Sequence, residues 1–175
     1  IDKTGTLTEG HPIFDRAVPS SGFEANEVLR LAASLDQGSE HPLADAIVRA
    51  ARERGLKLDR SENFESTSGI GVSAQVAGHH LALGNSTFMK HLKVLISPMV
   101  SQAEAMRIEG ASVMFLAVDG NPVGLLAVSD PIKKSTPEAL ATLKAAGLRI
   151  VMATGDGLTT AKAVGARLGI DEVHG

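Results

Sequence analysis

The chain has no cysteine, no tryptophan and no tyrosine, and five phenylalanines supply all of its aromatic rings other than the histidines. Without cysteine, disulfides, thiolate metal ligands and thiol redox chemistry are excluded by inventory. Without tryptophan or tyrosine no strong aromatic sandwich can form around a flat base, so any such ligand is expected to bind with modest affinity. Long apolar runs are also missing. The longest, 145–153 and 123–128, fall far short of the roughly eighteen residues a spanning helix needs, and Arg149 interrupts the first. No charged, apolar, then small-residue leader is visible, so no export signal is expected. A net charge of −3 gives no electrostatic case for nucleic acid.

What is present suffices for a packed core: 43% of the 175 residues are apolar, enough for one domain or for a large one with part of another. Residues 9–19 read as extended. Val28, Leu31, Ala32 and Leu35 recur at helical spacing within 24–35, as do Leu43, Ala46, Ile47 and Ala50 within 42–54, where Pro42 suits a first turn and Gly55 a stop. Over 63–83 the pattern changes to short segments, with Val72, Ala74 and Val76 alternating and Ala77-Gly78-His79 as a hairpin turn. Helices are expected over 86–92 and 98–109. Strands are expected over 112–118 and 123–128, joined by Asp119-Gly120-Asn121-Pro122. From Asp130 the style changes to helix 136–146, strand 148–153 and helix 159–168, an αβα run of the parallel, doubly wound kind. No repeat or low-complexity tract is evident.

Two clusters invite a metal reading and do not sustain it. His79 and His80 are adjacent on an expected strand, point to opposite faces and are expected to be solvent-exposed. Met89, Met99, Met106, Met114 and Met152 are scattered as core fillers rather than gathered as soft ligands.

The chemistry concentrates in Asp2-Lys3-Thr4-Gly5-Thr6-Leu7-Thr8. An aspartate can attack a phosphoryl group and hold it as a mixed anhydride, splitting a hard hydrolysis into two easier steps. Gly5 lets the backbone turn tightly toward an anion, the hydroxyls of Thr4 and Thr6 can hydrogen-bond its oxygens, and Lys3 adds a positive charge. A polar turn after a strand is the plain alternative. Thr154-Gly155-Asp156 follows an apolar strand and precedes a helix, where open α/β sheets place ligand groups. Thr154 could donate to a phosphoryl oxygen. Asp156 either orients the site and carries charge near a metal, or caps the following helix.

Together with Ser39-Glu40-His41-Pro42-Leu43, the Gly69-Ile70-Gly71 segment and Gly84-Asn85, these motifs stand in the order and spacing of the heavy-metal-transporting P-type ATPases, which the chain resembles over essentially its whole length. The flanks from Ala33 to Gly38 and Asp130-Pro131-Ile132-Lys133 look most like copper exporters. The resemblance implies an α+β nucleotide-binding domain, an antiparallel sheet with flanking helices, over 10–128. It is inserted into a partial α/β haloacid-dehalogenase-like phosphorylation domain formed by 1–9 and 129–175. It also implies ATP and Mg²⁺ as ligands. Asp2 is then the phosphorylated nucleophile, with Lys3, Thr4, Thr154, Gly155 and Asp156 as catalytic companions and Asp2 and Thr4 as the metal-binding residues.

For the nucleotide the resemblance implies Asp36, His41, Gly69, Ile70, Gly71, Gly84 and Asn85. His41 would orient the adenine. Asp36 stands where the family more often has glutamate, and a solvated charge at a helix end is its other reading. Gly69 and Gly71 could let backbone approach a base or form a bulge, and Asn85 could contact the nucleotide, cap a helix, or both. Asp130 and Lys133 read as hinge residues.

The family's Gly-Asp-Gly-x-Asn-Asp segment and its upstream lysine are not in these residues, and only Ile1 precedes Asp2. Both ends are therefore expected to be cut, the strand carrying Asp2 to be lacking, and the chain alone to bind nucleotide without full turnover. In the parent pump the expected partners are its membrane and actuator domains, and the chain itself is expected to be a monomer outside the membrane on the cytoplasmic side. Copper is the first expected cargo and zinc the second. A soluble haloacid-dehalogenase-type phosphatase is the competing enzyme, but such enzymes usually carry a second aspartate where this chain has Thr4. A binding module without turnover is the third reading.

Overall fold

The computed structural model describes residues 1–174. After an irregular turn at Lys3–Leu7, β1 (Ile13–Pro19) leads into α1 (Ala25–Asp36) and α2 (Pro42–Glu53). Then come β2 (Ser61–Thr67), β3 (Gly71–Val76), β4 (His79–Gly84), α3 (Ser86–His91), α4 (Ser97–Ile108), β5 (Ser112–Val118) and β6 (Asn121–Ser129). The chain continues through α5 (Thr136–Ala145), β7 (Val151–Ala153), α6 (Leu158–Arg167) and β8 (Glu172–His174).

Six strands form one antiparallel sheet in the order β1-β6-β5-β4-β3-β2. Because strand side chains alternate, the central strands serve two cores at once. Leu116, Leu126 and Val128 join Val28, Leu29 and Ile47 of α1 and α2 on one face. Phe115, Leu125 and Ala127 join Met89, Met99 and Met106 of α3 and α4 on the other. Burial on both faces explains why β6 reads as a continuous apolar run instead of an alternating one. Met152 fills the third core and Met114 packs at the edge of the first, so the methionines are core fillers.

The hairpins are tighter than the sequence suggests. Ala77 and Gly78 both take positive φ (50° and 83°), so His79 already pairs with Val76 in β4. Asp119 and Gly120 do the same (49° and 78°), leaving Asn121 and Pro122 in β6. Two-residue turns with positive φ at both centres match the twist of the flanking strands, which is why the four-residue Asp119–Pro122 connection is not used. His79 and His80 are exposed, as expected.

The remaining segments form a smaller parallel unit, in which β7 and β8 are joined by α6. The expected strand over 148–153 shortens to Val151–Ala153, because β8 offers three residues to pair with and Leu148 is turned to solvent. β8 itself was not anticipated: a three-residue strand carries no readable period. As expected, no strand among the described residues carries Asp2, and residues 1–2 form only an isolated parallel bridge beside β7. The Ile1 amine donates to the Val151 carbonyl (2.7 Å), the Ala153 amide donates to the Ile1 carbonyl (2.9 Å), and Asp2 bridges to Ala153. Leu7, Leu140, Met152, Ala161 and Ile170 pack this unit. Among the described residues no helix is long and apolar enough to cross a membrane.

Leu126 is fully buried in the α1/α2 core. Leu126→Ala is expected to lower the unfolding free energy by about 2–5 kcal/mol, measured by urea denaturation.

Candidate functional site

Asp2 sits at the end of an extended segment, beside Ala153 and one step from Thr154. The turn after it is built by Gly5 at φ +75°, with the Thr8 amide donating to the Lys3 carbonyl (3.1 Å) and the Gly5 amide to the Thr8 hydroxyl (3.2 Å). Asp2, Thr4, Gly5, Thr6 and Gly155 are all exposed, whereas Lys3 is 4% exposed. Lys3 therefore does not project toward solvent with its neighbours. Its ammonium forms an ion pair with Asp156 Oδ2, and the Thr154 hydroxyl donates to the same oxygen at 3.1 Å.

Asp156 does not cap α6. Gly157, which has no side chain to cap with, occupies that position, and the Asp156 carboxylate is turned back toward Lys3. That leaves Asp2 as the open carboxylate of the pair. The hinge residues tie the turn down: the Thr8 hydroxyl lies 2.6 Å from Asp130 Oδ2, the Gly10 amide donates to Asp130 Oδ1 (3.0 Å) and the Lys133 ammonium donates to the Gly5 carbonyl (2.6 Å).

A second group of residues lies on the large sheet. Gly71 and Gly84 face each other in register. A Cβ on Gly71 would fall 2.3 Å from the Phe88 ring, and one on Gly84 would fall 2.4 Å from the Ile70 carbonyl oxygen. Close strand and ring packing accounts for both glycines. Gly69, at φ +75° with open space around it, is the glycine that leaves backbone accessible. Asn85 caps α3 by accepting from the Phe88 amide (3.0 Å), and its side-chain amide donates to the Gly69 carbonyl (3.3 Å). Its backbone amide donates to the Ile70 carbonyl (2.9 Å), and the Ile70 side chain packs on the α3/α4 core.

His41 caps α2. Its Nδ1 accepts from the Leu43 amide (3.2 Å), which leaves Nε2 as the protonated nitrogen, and the exposed imidazole can offer that N–H outward. The α1–α2 connection abuts Phe64 of β2 at Gly38, and β2 in turn pairs with β3 at Gly71. No hydrogen bond among the described residues joins Asp36 or His41 to the glycine group.

Asp36 is not a solvated helix-end charge. It is 4% exposed, opens on a cleft of about 180 Å³ lined by Gln37, Ser39, Asp45, Val48 and Arg52, and burial pushes its carboxyl up to about 7. The signal was available: Asp36 falls eight residues after Val28 and four after Ala32, on the buried stripe of α1. Sequence reasoning also missed Ser112, which contacts Asp156. It missed Glu104 and the Ala111 carbonyl as well, which accept from Thr159 (2.6 Å) and Thr160 (2.8 Å) of α6. These pairs are more than forty residues apart and leave no local pattern.

The haloacid dehalogenase-like hydrolase family model matches residues 1–174, and the chain belongs to that family. The proteins it is similar to include copper- and silver-exporting P-type ATPases. The chain is 53% identical over 173 residues, 99% of its length, to the copper-exporting P-type ATPase of Legionella pneumophila. It spans 23% of that relative's length. It also superposes on a zinc-transporting PIB-type ATPase in its E2·Pi state with a TM-score of 0.75 at 31% identity, covering 98% of this chain and 28% of that one. With the catalytic domain of the CPx-ATPase CopB-B, described for its conformational changes upon nucleotide binding, the TM-score is 0.69 at 26% identity. That match covers 99% of this chain and 59% of that one. The resemblance read from the motifs and the expected fold class are both borne out.

The buried Asp36 makes stability depend on pH with a definite sign. Burial raises its carboxyl from the ordinary 3.8 to about 7, so between about pH 4 and 7 the folded chain holds a proton that the unfolded chain releases. This contribution therefore falls as pH rises through that window and levels off above it. Asp36→Asn removes it: relative to the wild type, the variant is expected to be more stable at pH 8 than at pH 4.5, measured by paired urea unfolding curves.

Proposed function

We propose that this chain is the ATP-binding and phosphorylation region of an ATP-driven heavy-metal export pump, copper being the first expected cargo and zinc the second. The observation that carries the reading is the convergence of Asp2 and Thr154-Gly155-Asp156 at the ends of adjacent parallel segments, locked by the Lys3–Asp156 pair. The copper-exporting and zinc-transporting relatives support it.

In the proposed reaction an Asp2 carboxylate oxygen bonds to the γ-phosphorus of ATP as the bond from that phosphorus to the β–γ bridging oxygen breaks. ADP leaves and Asp2 becomes an acyl phosphate. Thr4 and Thr6 offer hydroxyls to the phosphoryl oxygens and Gly155 offers open backbone, whereas Gly5 shapes the turn with its amide and carbonyl already bonded and Thr154 gives its one hydroxyl proton to Asp156 Oδ2. Asp156 is committed to Lys3 and orients the loop. His41, Gly69 and Asn85 are proposed to hold the nucleotide, with Ile70, Gly71 and Gly84 shaping the backbone beneath it and Asp36 lying behind it.

Asp2 and Thr4 are the proposed Mg²⁺ residues. Among the described residues no cluster of three or more acidic or histidine side chains could hold a metal. One free carboxylate fits an ion that takes most of its oxygens from phosphates and water. When bound, that ion neutralises charge on the transferring group.

The shared family leaves a soluble phosphatase as the competitor. Thr4 argues against it, since a hydroxyl is a poor general base for hydrolytic water near neutral pH. The acyl phosphate should persist, as a pump requires for coupling to its membrane and actuator domains. The chain alone is proposed to bind nucleotide as a monomer on the cytoplasmic side without full turnover.

Titration of the chain with ATP and ADP, without and with Mg²⁺, followed by backbone amide NMR, tests the nucleotide reading. Saturable shifts are expected at His41, Gly69, Gly71 and Asn85. His41→Asn, which keeps a capping acceptor, is expected to weaken binding by about fivefold, the loss of one hydrogen bond of about 1 kcal/mol. Silence at those amides would remove the proposal.

A further inference from the structure

The carboxylate of Asp156 is held from two sides. Oδ2 receives the Lys3 ammonium and the Thr154 hydroxyl, both from the smaller parallel unit. Oδ1 receives the hydroxyl of Ser112 at 3.0 Å, and Ser112 is the first residue of β5, a central strand of the large sheet. The contact is one of a row. The Thr159 hydroxyl donates to Glu104 Oε1 (2.6 Å), the Thr160 hydroxyl donates to the Ala111 carbonyl (2.8 Å), and Arg167 Nη2 donates to the Glu109 carbonyl (2.5 Å). Thr160 is 2% exposed, so its bond is shielded from competing water. The α4–β5 corner is thereby seated along α6 from its first turn to its last.

We propose that Ser112 is a positioning residue for the phosphorylation turn. Its hydroxyl fixes the rotation of the Asp156 carboxylate and with it the Lys3 ion pair, so that the order of the turn depends on the α4–β5 corner being docked on α6. The terminal torsion of an aspartate is broad, and with donors at Oδ2 alone the carboxylate can swing about that oxygen. A donor at Oδ1 from a separate element removes this freedom. Lys3 is buried, so an ammonium whose partner swings away loses the compensation for its desolvation. The large module, whose sheet and flanking helices carry the proposed nucleotide residues, thus reports its seating to the turn that bears Asp2. The consequence for phosphoryl transfer rests on the proposed function, but the geometry does not.

The test is therefore made on the chain without nucleotide or Mg²⁺. The readout is the side-chain ¹⁵N ammonium resonance of Lys3, visible when buried and ion-paired, together with the Thr154 to Asp156 amide shifts. Ser112→Ala is expected to lose the Lys3 ammonium signal and shift those amides, while Ser112→Thr, which restores a hydroxyl, keeps both near wild type. Thr159→Val, which removes the Glu104 bond and so loosens the corner at a site not touching Asp156, is expected to weaken the Lys3 signal as well and still reads the coupling if Ser112→Ala fails to fold. A wild-type Lys3 signal in Ser112→Ala would overturn the proposal. So would its equal loss in Ser112→Thr, which would show packing rather than the hydroxyl to be the cause, or a Thr159→Val variant with the signal untouched. Failure of ATP to bind bears only on the functional reading and leaves these outcomes intact.

Discussion

A lysine buried beside an aspartate is the constraint on which the site depends. Taking an ammonium out of water costs several kcal/mol, and the cost is recovered only with a well-placed counter-charge. Lys3 and Asp156 come from opposite ends of the chain, so their pairing brings the Asp2 turn to the Thr-Gly-Asp loop. The remaining polar contacts of the turn serve the same end. Asp130 receives Thr8 and Gly10, Lys133 binds the Gly5 carbonyl, and the Thr136 hydroxyl donates to the Leu7 carbonyl (2.7 Å). With Lys3 drawn inward, the residues on either side of it, Asp2 and Thr4, are left facing solvent where a phosphate could arrive.

This division of labour separates two kinds of carboxylate in one site. Asp156 is saturated by Lys3, Thr154 and Ser112, which suits it to hold position and makes it a poor ligand for a metal. Asp2 has the opposite environment, exposed and at the end of a short extended segment, which suits the proposed nucleophile that must meet a bulky anion. Asp36 is a third case. Its position is set by the packing of α1, and desolvation moves its titration to near neutral pH.

Much of the large module was legible in the sequence because its elements are long and periodic. The apolar stripes of α1 and α2 placed those helices to within a residue, and the alternation of Val72, Ala74 and Val76 marked β3 without fixing its bounds. The turn residues at Ala77-Gly78 and Asp119-Gly120 marked the hairpins but not their length, since a two-residue turn is selected by strand twist and not by composition alone. In the smaller unit, β8 and the true extent of β7 were illegible because three-residue strands exist only through their partner. The motifs carrying Asp2, His41 and Thr154 could be read because they are contiguous. Ser112, Glu104 and Thr160 could not, because their meaning arises only when α6 and the α4–β5 corner meet.

The pairing of β1 with β6 has a mechanical reading. Ile13 lies opposite Ser129, so the chain enters and leaves the six-stranded module through two neighbouring strands. Just outside, the Glu9 amide donates to the Pro131 carbonyl at 2.8 Å, and Asp130 clasps both Thr8 and Gly10. More than a hundred residues are thus joined to the smaller unit through one narrow two-stranded stalk, and the α4–β5 corner seated on α6 is their second support. With that second support lifted the stalk would act as a pivot with a long arm, and a small change of angle at Asp130 would become a large sweep at the far edge of the sheet, where β2 and β3 lie.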